Sequence, residues 1–457
     1  YMKMPNAAIY DEDAYGNSLG TYYTIPRFVE RYKDDKDELD AQRKAVNPVA
    51  SAWLAQNEER TYNIQPQFDI QYRLLGLDEE STQLTYKGTV VLSIYNAYKD
   101  SYYPWELKSN VYTQTEGNIN TASSSFDKSF GFTTRHQLTF IPFIANHDHS
   151  VRLFFKGEVT SGTSSAQSLS SYLLPSGTIT SAAGGGHLKA TTTGAGHWRS
   201  AYWLFQGHYA FQSKYSLDAT LRHEGNTRFG ESHRWGLFYA LSGRWNISDE
   251  SWMEPTKKWL SMFAVRFGWG VTGNQPPKAD THYSVYNVDG KYINSIGMRP
   301  GNIRLTDLRW EQVMDWNLGW NIGLFNDLLT ADINLYSKQT SDLFTNDPKI
   351  PSTSGFTSLP TENGGDMKNQ GYEINLSLNR VKIAGDLSAT FNLTFANNRN
   401  TITAMDPIRL AAINGTGVNV PDNGEYMTRV LLNNPFGALY GLRYKGVYAY
   451  SYDHFDQ

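Results

Sequence analysis

Few side chains in this sequence are of a type and spacing that do chemistry. The segment 97–115, AYKDSYYPWELKSNVYTQT, sets Tyr98, Tyr102, Tyr103, Trp105 and Tyr112 among Lys99, Asp100 and Glu106. Ligand sites combine apolar walls with a few polar groups. Rings beside hydrogen-bonding groups therefore suit sugars, with their C–H faces and hydroxyls, and suit peptides as well. Tyr102, Tyr103, Trp105 and Tyr112 are the candidate substrate-binding residues. Packing of an aromatic loop on its neighbours or on a partner accounts for the same residues equally well.

The remaining candidates are weaker. In NHDHS, His147 and His149 flank Asp148, but third and fourth ligands at zinc-binding spacing are absent. A solvated polar turn is favoured there, since Asn and Asp are turn formers. DEDAYGN, Asp11 to Asn17, lacks the twelve-residue calcium-loop spacing with a terminal Glu and reads as surface charge. GHLKATTTGAGH and SAAGGG are glycine-rich, without the strand-loop-helix context of a phosphate loop. No Ser/His/Asp arrangement sits in a nucleophile elbow. The sequence thus predicts no catalytic residue, no metal site, no cofactor and no enzyme.

What positions such residues is a β framework. The chain has 457 residues, a formal charge of -4, no cysteine, 30 tyrosines and 12 tryptophans. A near-neutral charge argues against nucleic-acid binding. The absence of cysteine excludes disulfides and thiolate metal sites. No run of eighteen or so apolar residues exists, so no transmembrane helix is expected. The opening YMKMPNAAIYDEDAYGN lacks the basic-then-apolar pattern of a signal peptide. One short surface helix is predicted over Phe28 to Val46.

Elsewhere the alternation of apolar and polar residues, the main strand signal, recurs along the chain. In VRFGWGVTGNQ, Phe263, Val265, Phe267 and Trp269 share one face, and Ala264, Arg266, Gly268 and Gly270 the other. Tyr372, Ile374, Leu376 and Leu378 oppose Glu373, Asn375, Ser377 and Asn379. Trp316, Leu318, Trp320, Ile322 and Leu324 oppose Asn317, Gly319, Asn321 and Gly323. Leu329, Ala331, Ile333 and Leu335 oppose Thr330, Asp332, Asn334 and Tyr336. Leu387, Ala389, Phe391, Leu393 and Phe395 oppose Ser388, Thr390, Asn392 and Thr394. Further strands are expected near 61–74, 82–96, 131–144, 150–159, 200–211, 214–224, 234–247, 259–271 and 440–450.

Short links near 75–81, 145–149, 212–214, 248–258, 326–328 and 381–386 alternate with long ones near 97–130, 160–199, 272–310, 343–370 and 399–439. A medium link, 224–233, fills one long slot. Short turns at one end and long loops at the other are the form of a membrane β-barrel, and tryptophans near strand ends suit its interfacial girdles. A soluble β-sandwich has turns every 8–12 residues or so without that asymmetry. The fold expected is all-β, a transmembrane antiparallel β-barrel, with residues 1–457 part of one barrel domain.

Several stretches resemble one family. VRFGWGVTGNQ is similar to a strand and turn of the SusC/RagA-type, TonB-linked outer-membrane transporters of Bacteroidetes. Leu308 to Phe344 resembles that family's hairpin, with a W-E start and a Y-x-K-x-T-x-D-L end. Tyr215 to Trp252 resembles its R-x-[DE]-G … R-W-G hairpin. NGGDMKNQGYEINLSL, NNPFGALYGLRYKGVY and NPVASA (Asn47 to Ala52) resemble further segments, in family order from about 47 to 450. His223-Glu224 and Tyr239-Ala240 depart from the pattern.

The resemblance implies a TonB-dependent receptor barrel in the cell outer membrane, with the plug domain, the TonB box and terminal strands outside this sequence. About thirteen strands are legible, and an odd count itself points to an incomplete barrel. The implied function is import of oligosaccharides or other nutrient oligomers, with oligopeptides as the alternative cargo. The implied partners are a SusD-like surface lipoprotein, the TonB-ExbB-ExbD complex and the lipid and lipopolysaccharide of the outer membrane. A passive porin or an adhesin barrel is the competing class.

Overall fold

The computed structural model describes residues 9–22, 47–76, 78, 80–104, 107, 120–175, 177–276, 282–292, 295–345, 352–356, 361–414, 427–440, 444 and 446. Its elements in chain order are β1 (Tyr10–Glu12), β2 (Ser18–Tyr22), α1 (Pro48–Leu54), β3 (Gln56–Ile64), β4 (Gln67–Leu75), β5 (Gln83–Tyr103), β6 (Thr121–Ile141), β7 (His149–Tyr172), β8 (His187–Phe211), β9 (Tyr215–Asn226), β10 (Trp235–Asn246) and β11 (Leu260–Asn274). There follow β12 (Tyr286–Tyr292), β13 (Ser295–Pro300), β14 (Glu311–Leu324), β15 (Leu329–Ser341), β16 (Phe344–Thr345), β17 (Glu362–Asn363), β18 (Gly365–Ala384), β19 (Leu387–Met405), α2 (Pro407–Asn414), β20 (Met427–Arg429) and β21 (Ala438–Tyr440). The helix expected over 28–46 lies outside the described residues, and so does nearly all of the strand expected at 440–450.

Among the described residues thirteen strands form one sheet in the order β19-β18-β15-β14-β11-β10-β9-β8-β7-β6-β5-β3, with β4 also on β5. Neighbours in sequence are neighbours in space, as in an up-and-down meander. The short pairs β12–β13 and β16–β17 sit within the links. By contacts the chain divides into two compact units. One comprises residues 1–69, 89–134 and 160–199, and the other 70–88, 135–159 and 200–457.

In the second unit the register makes the two faces of the sheet chemically different. Trp245, Val265, Trp320, Ile333, Ile374 and Phe395 are successive partners across six strands. The adjacent row, one residue away, is Arg244, Arg266, Gly319, Asn334, Glu373 and Ala396. Side chains alternate faces along a strand, so one face is apolar and the other polar or small. Yet the apolar face is the exposed one: Phe205, Leu217, Leu221, Leu237, Leu241, Phe267 and Phe391 all present their side chains outward. A continuous apolar surface of this size would drive aggregation in water. It is the ordinary outer surface of a barrel whose solvent is lipid.

Aromatic residues bound this surface at both ends. Trp203 stacks with Trp235 at 5.5 Å between centroids, and His223 lies 4.9 Å from Trp235. Trp235 can lie flat because its cross-strand partner is Gly225, where a Cβ would come within 2.6 Å of the indole. At the turn end Tyr215 stacks on Trp245, and Phe211 on Tyr215. Ten residues of β10 separate Trp235 from Trp245; at about 3.3 Å per residue that is about 33 Å of strand. A tilt near 40–45° projects this to about 25 Å along the membrane normal, the height of the apolar band of such barrels.

Two differences from the sequence expectation have physical causes. Strand structure continues through 97–103, 121–130, 160–172, 187–199, 365–370 and 399–405, all within segments that read as links. These stretches are rich in Ser, Thr, Gly and Asn. With 25 residues, β8 measures about 80 Å, far more than a bilayer requires. A strand with water on both faces has no apolar period to read. Second, the β8–β9 link is the expected three residues 212–214, but it turns through Gln212 and Ser213 with φ of 48° and 55°. Both residues are left-handed, the geometry that favours Asn-Gly, without that signature. The Asn246 amide steadies it by donating to the Ser213 carbonyl at 2.8 Å.

In the first unit β3 runs antiparallel to β5, from Gln56 opposite Tyr102 to Ile64 opposite Ile94. A small core of Tyr102, Ala122, Leu174 and Ala182 packs there. Hydroxyl pairs join its strands, as in Ser101–Ser123 at 2.7 Å and Ser168–Thr192 at 2.5 Å.

The link between β10 and β11 carries Glu250, which accepts hydrogen bonds from the Tyr215 hydroxyl and from Trp245 Nε1 at 3.1 Å, with Lys214 Nζ at 3.6 Å. The Tyr215 hydrogen bond first, then that of Trp245 and the charge of Lys214, hold its carboxyl below the usual carboxylate range. A folded-state value below the unfolded one stabilises the fold above the ordinary carboxylate pKa, and the contribution is lost as pH falls through the lowered value. Glu250→Gln is expected to flatten the acid limb of stability against pH, measured by unfolding in detergent from about pH 7 to about pH 3. An unchanged acid limb would remove this role from Glu250.

Candidate functional site: the polar wall

Of the sequence-predicted aromatics, Tyr102 and Tyr103 lie among the described residues. Tyr102 and Tyr103 leave opposite faces of β5. Tyr102 is 2% exposed, packed with Ala122, Leu174 and Ala182, and its hydroxyl donates to Asn120 Oδ1 at 3.3 Å. Tyr103 is 39% exposed, and its hydroxyl accepts from Asn57 Nδ2 at 3.4 Å. Trp105 and Tyr112 lie outside the described residues. On the same side of β5 as Tyr102, Tyr98 stacks on Phe126 at 4.6 Å and meets Tyr62 edge-on at 6.4 Å.

The polar turn at 146–149 is a turn. Asp148 N donates to Asn146 Oδ1 at 3.0 Å, and Gln212 N to the Asp148 carbonyl at 2.6 Å. His149 bonds Tyr209 through Nδ1 at 2.9 Å. Among the described residues no group of three His, Asp or Glu side chains is arranged to hold a metal. The acidic stretch at 11–17 is closed on itself, with Asp13 accepting from the Tyr15 and Asn17 backbone and from the Asn17 amide.

The organised polar chemistry lies on the other face of the sheet in the second unit. Arg135 of β6, Glu158 of β7, Tyr202 of β8 and Arg222 of β9 are each an odd number of residues from an outward apolar one (Phe132, Phe155, Trp203 and Leu221), so they point inward. Glu158 gathers three of its neighbours: Arg135 Nε at 2.6 Å, the Tyr202 hydroxyl at 3.0 Å and Lys156 Nζ at 3.7 Å. The Arg222 guanidinium stacks 4.1 Å from the Tyr202 ring and pairs with Glu224 at 2.7 Å. Glu224 accepts from Gln275, which in turn accepts from Asn226.

A second lattice spans β11, β14 and β15. Arg266 Nη2 donates to Asp332 at 2.8 Å and to Asn334 at 3.1 Å, while Asn321 and Asn334 donate to Asp332. Arg266 reaches across β14 because its direct partner there is Gly319, where a Cβ would meet the guanidinium at 3.0 Å. Farther along, amides and hydroxyls bridge the strands: Asn400 to Asn369 at 2.7 Å and Thr394 to Asn375 at 3.0 Å. Near the long-loop end Phe229, Phe238, Val271, Leu308 and Trp310 form a compact apolar cluster.

Parity in the sequence placed Arg266, Glu373, Asn375 and Asn379 opposite the apolar rows of their strands, and Arg266 has polar partners on that face. It missed Arg135, Lys156, Glu158, Tyr202 and Arg222 as a group. The Glu158 pairs with Arg135 and Tyr202 join residues 23 and 44 apart in sequence, and no local signal encodes such pairs. The arrangement offers charged and amide groups to whatever occupies the interior, without a nucleophile-base pair among them. Part-exposed ion pairs contribute little individually, but Glu158 is one acceptor shared by three donors. Glu158→Ala is expected to destabilise the fold by about 1–3 kcal/mol by removing the acceptor that Arg135 and Tyr202 share, read from unfolding midpoints in detergent micelles. Glu158→Gln should recover part of it, and a neutral Glu158→Ala would contradict this role.

Comparison with known proteins agrees with the fold. Residues 10–456 match the family described as TonB dependent receptor-like, beta-barrel. The chain is 30% identical over 245 residues to the TonB-dependent receptor P39 of Formosa agariphila, which covers 53% of this chain and 22% of that protein. It is 32% identical over 208 residues to the TonB-dependent receptor SusC of Bacteroides thetaiotaomicron, covering 43% of this chain and 20% of SusC. The solved RagAB peptide transporter superimposes with a TM-score of 0.70 at 20% identity, over 92% of this chain and 43% of that one. The chain therefore matches only about a fifth of the length of these curated relatives. With an apolar exterior, aromatic girdles, a polar inner wall and a family match along nearly its whole length, the chain belongs to the TonB-dependent receptor family of outer-membrane β-barrels and is similar to its SusC and RagA members.

Proposed function

We propose that this chain is the barrel wall of a TonB-dependent importer of the SusC/RagA type, which carries nutrient oligomers across the outer membrane. The observation that carries the reading is the inner wall: charged and amide side chains line it from Glu158 and Arg222 to Asp332 and Asn375, behind an exterior suited to lipid. Such a wall can hold a polar plug and hydrate a polar cargo, and it has no bond chemistry of its own. In this reading a SusD-like surface lipoprotein receives cargo at the long-loop end, and TonB with ExbB and ExbD drives the opening.

The cargo is an oligosaccharide or an oligopeptide. Tyr103, together with Trp105 and Tyr112, is proposed to contribute ring surface to its capture, and the burial of Tyr102 suits a role in holding that segment. Deleting the chromosomal gene in the source strain is expected to abolish uptake of labelled oligomers of one of these classes, with monomer uptake unchanged. Removing TonB should have the same effect. Oligomer uptake that persists without TonB would make the barrel a passive porin, and unaltered uptake of both classes in the deletion strain would end the importer reading.

A further inference from the structure

The inner wall contains one pairing that its own residues leave uncompensated. Arg244 of β10 and Arg266 of β11 are direct cross-strand partners on the inward face. Like charges directly opposite are destabilising, and neither guanidinium can lose its proton in a protein. Arg266 is answered by Asp332 and Asn334. Arg244 bonds the neutral amide of Asn246 at 2.7 Å through Nε and is otherwise exposed. The carboxylates nearest in register are engaged elsewhere: Asp218, diagonal to Arg244, is bonded to His208 at 2.8 Å, and Glu250 at the turn holds Lys214, Tyr215 and Trp245. Glu373 stands opposite Asn334, beyond Gly319 in the row.

We propose that Arg244, backed by Arg266, is a docking point for a carboxylate borne by polypeptide that fills the barrel interior in the longer protein. A guanidinium presents two parallel N–H donors that match a carboxylate, and an anion between two arginines would remove the repulsion this row otherwise carries. A polypeptide occupant is favoured over a free anion by chain length. RagAB matches 92% of this chain with only 43% of its own, which leaves length both for further strands of such a wall and for polypeptide inside it. The inference rests on the importer reading, in which the interior is plugged.

The test uses the full-length protein in planar bilayers without cargo, with urea loosening the plug. Wild type is expected to be closed until urea is added. Arg244→Gln and Arg244→Glu should raise the open fraction at a fixed urea concentration by roughly tenfold or more, the loss of one charge-assisted hydrogen bond. Arg244→Lys, which keeps the charge, should stay closer to wild type, and Ser242→Asn on the same face should match it. Raising salt should open wild type more readily and the glutamine variant less so. Variants that open no more easily than wild type would overturn the docking point, including the case in which the anion is cargo. Equal opening by the lysine and glutamine variants would reduce Arg244 to a packing role and also overturn it. A wild type that conducts without urea would instead refute the plugged-importer reading itself.

Discussion

The constraint on which the rest of this structure depends is that one face of the sheet has lipid for a solvent. Lipid offers backbone groups no hydrogen bonds, so the ladders must satisfy them, and the long antiparallel meander does so strand to strand. Lipid also makes an exposed apolar surface stable, so the row from Trp245 to Phe395 lies on the outside without cost. Everything polar is then driven to the other face. The inner wall of charges and amides is the complement of the lipid-facing one, displaced by one residue along each strand.

That displacement is why much of the fold was legible. In VRFGWGVTGNQ the alternation of Phe263, Val265, Phe267 and Trp269 with Ala264, Arg266, Gly268 and Gly270 already separates the two faces, and register propagates the separation across neighbours. Legibility ended where the physics that writes the pattern ended. Outside the bilayer both faces meet water, so 160–172 and 187–199 carry no apolar period and read as loop, although they are strand. The Gln212-Ser213 turn is set by its flanking ladders and by Asn246, rather than by its own residue types.

The site was legible only in part, and for a different reason. Parity assigns a residue to a face but says nothing of which neighbour it meets. Arg266 falls opposite the apolar row of its strand by parity, whereas Asp332 as its partner follows from a register 66 residues away in sequence. In sequence Gly319 is one more small residue opposite an apolar row; its place beneath the Arg266 guanidinium gives it a definite task. Tyr102 shows the converse. Its type suggested a ligand surface, and register places it among Ala122, Leu174 and Ala182, where it is 2% exposed.

The central claim is that neighbouring residues of one strand face lipid and interior in turn. This chain contains no cysteine, so cysteines introduced singly into it at Leu237, Ala240, Leu241 and Ser242 can carry a fluorescent label at known places on β10. In the protein reconstituted into bilayers, labels at 237 and 241 are expected to be quenched by a lipid-borne nitroxide and protected from aqueous iodide, and labels at 240 and 242 to be spared by the lipid quencher. Uniform quenching along the strand, or the opposite phase, would contradict the account.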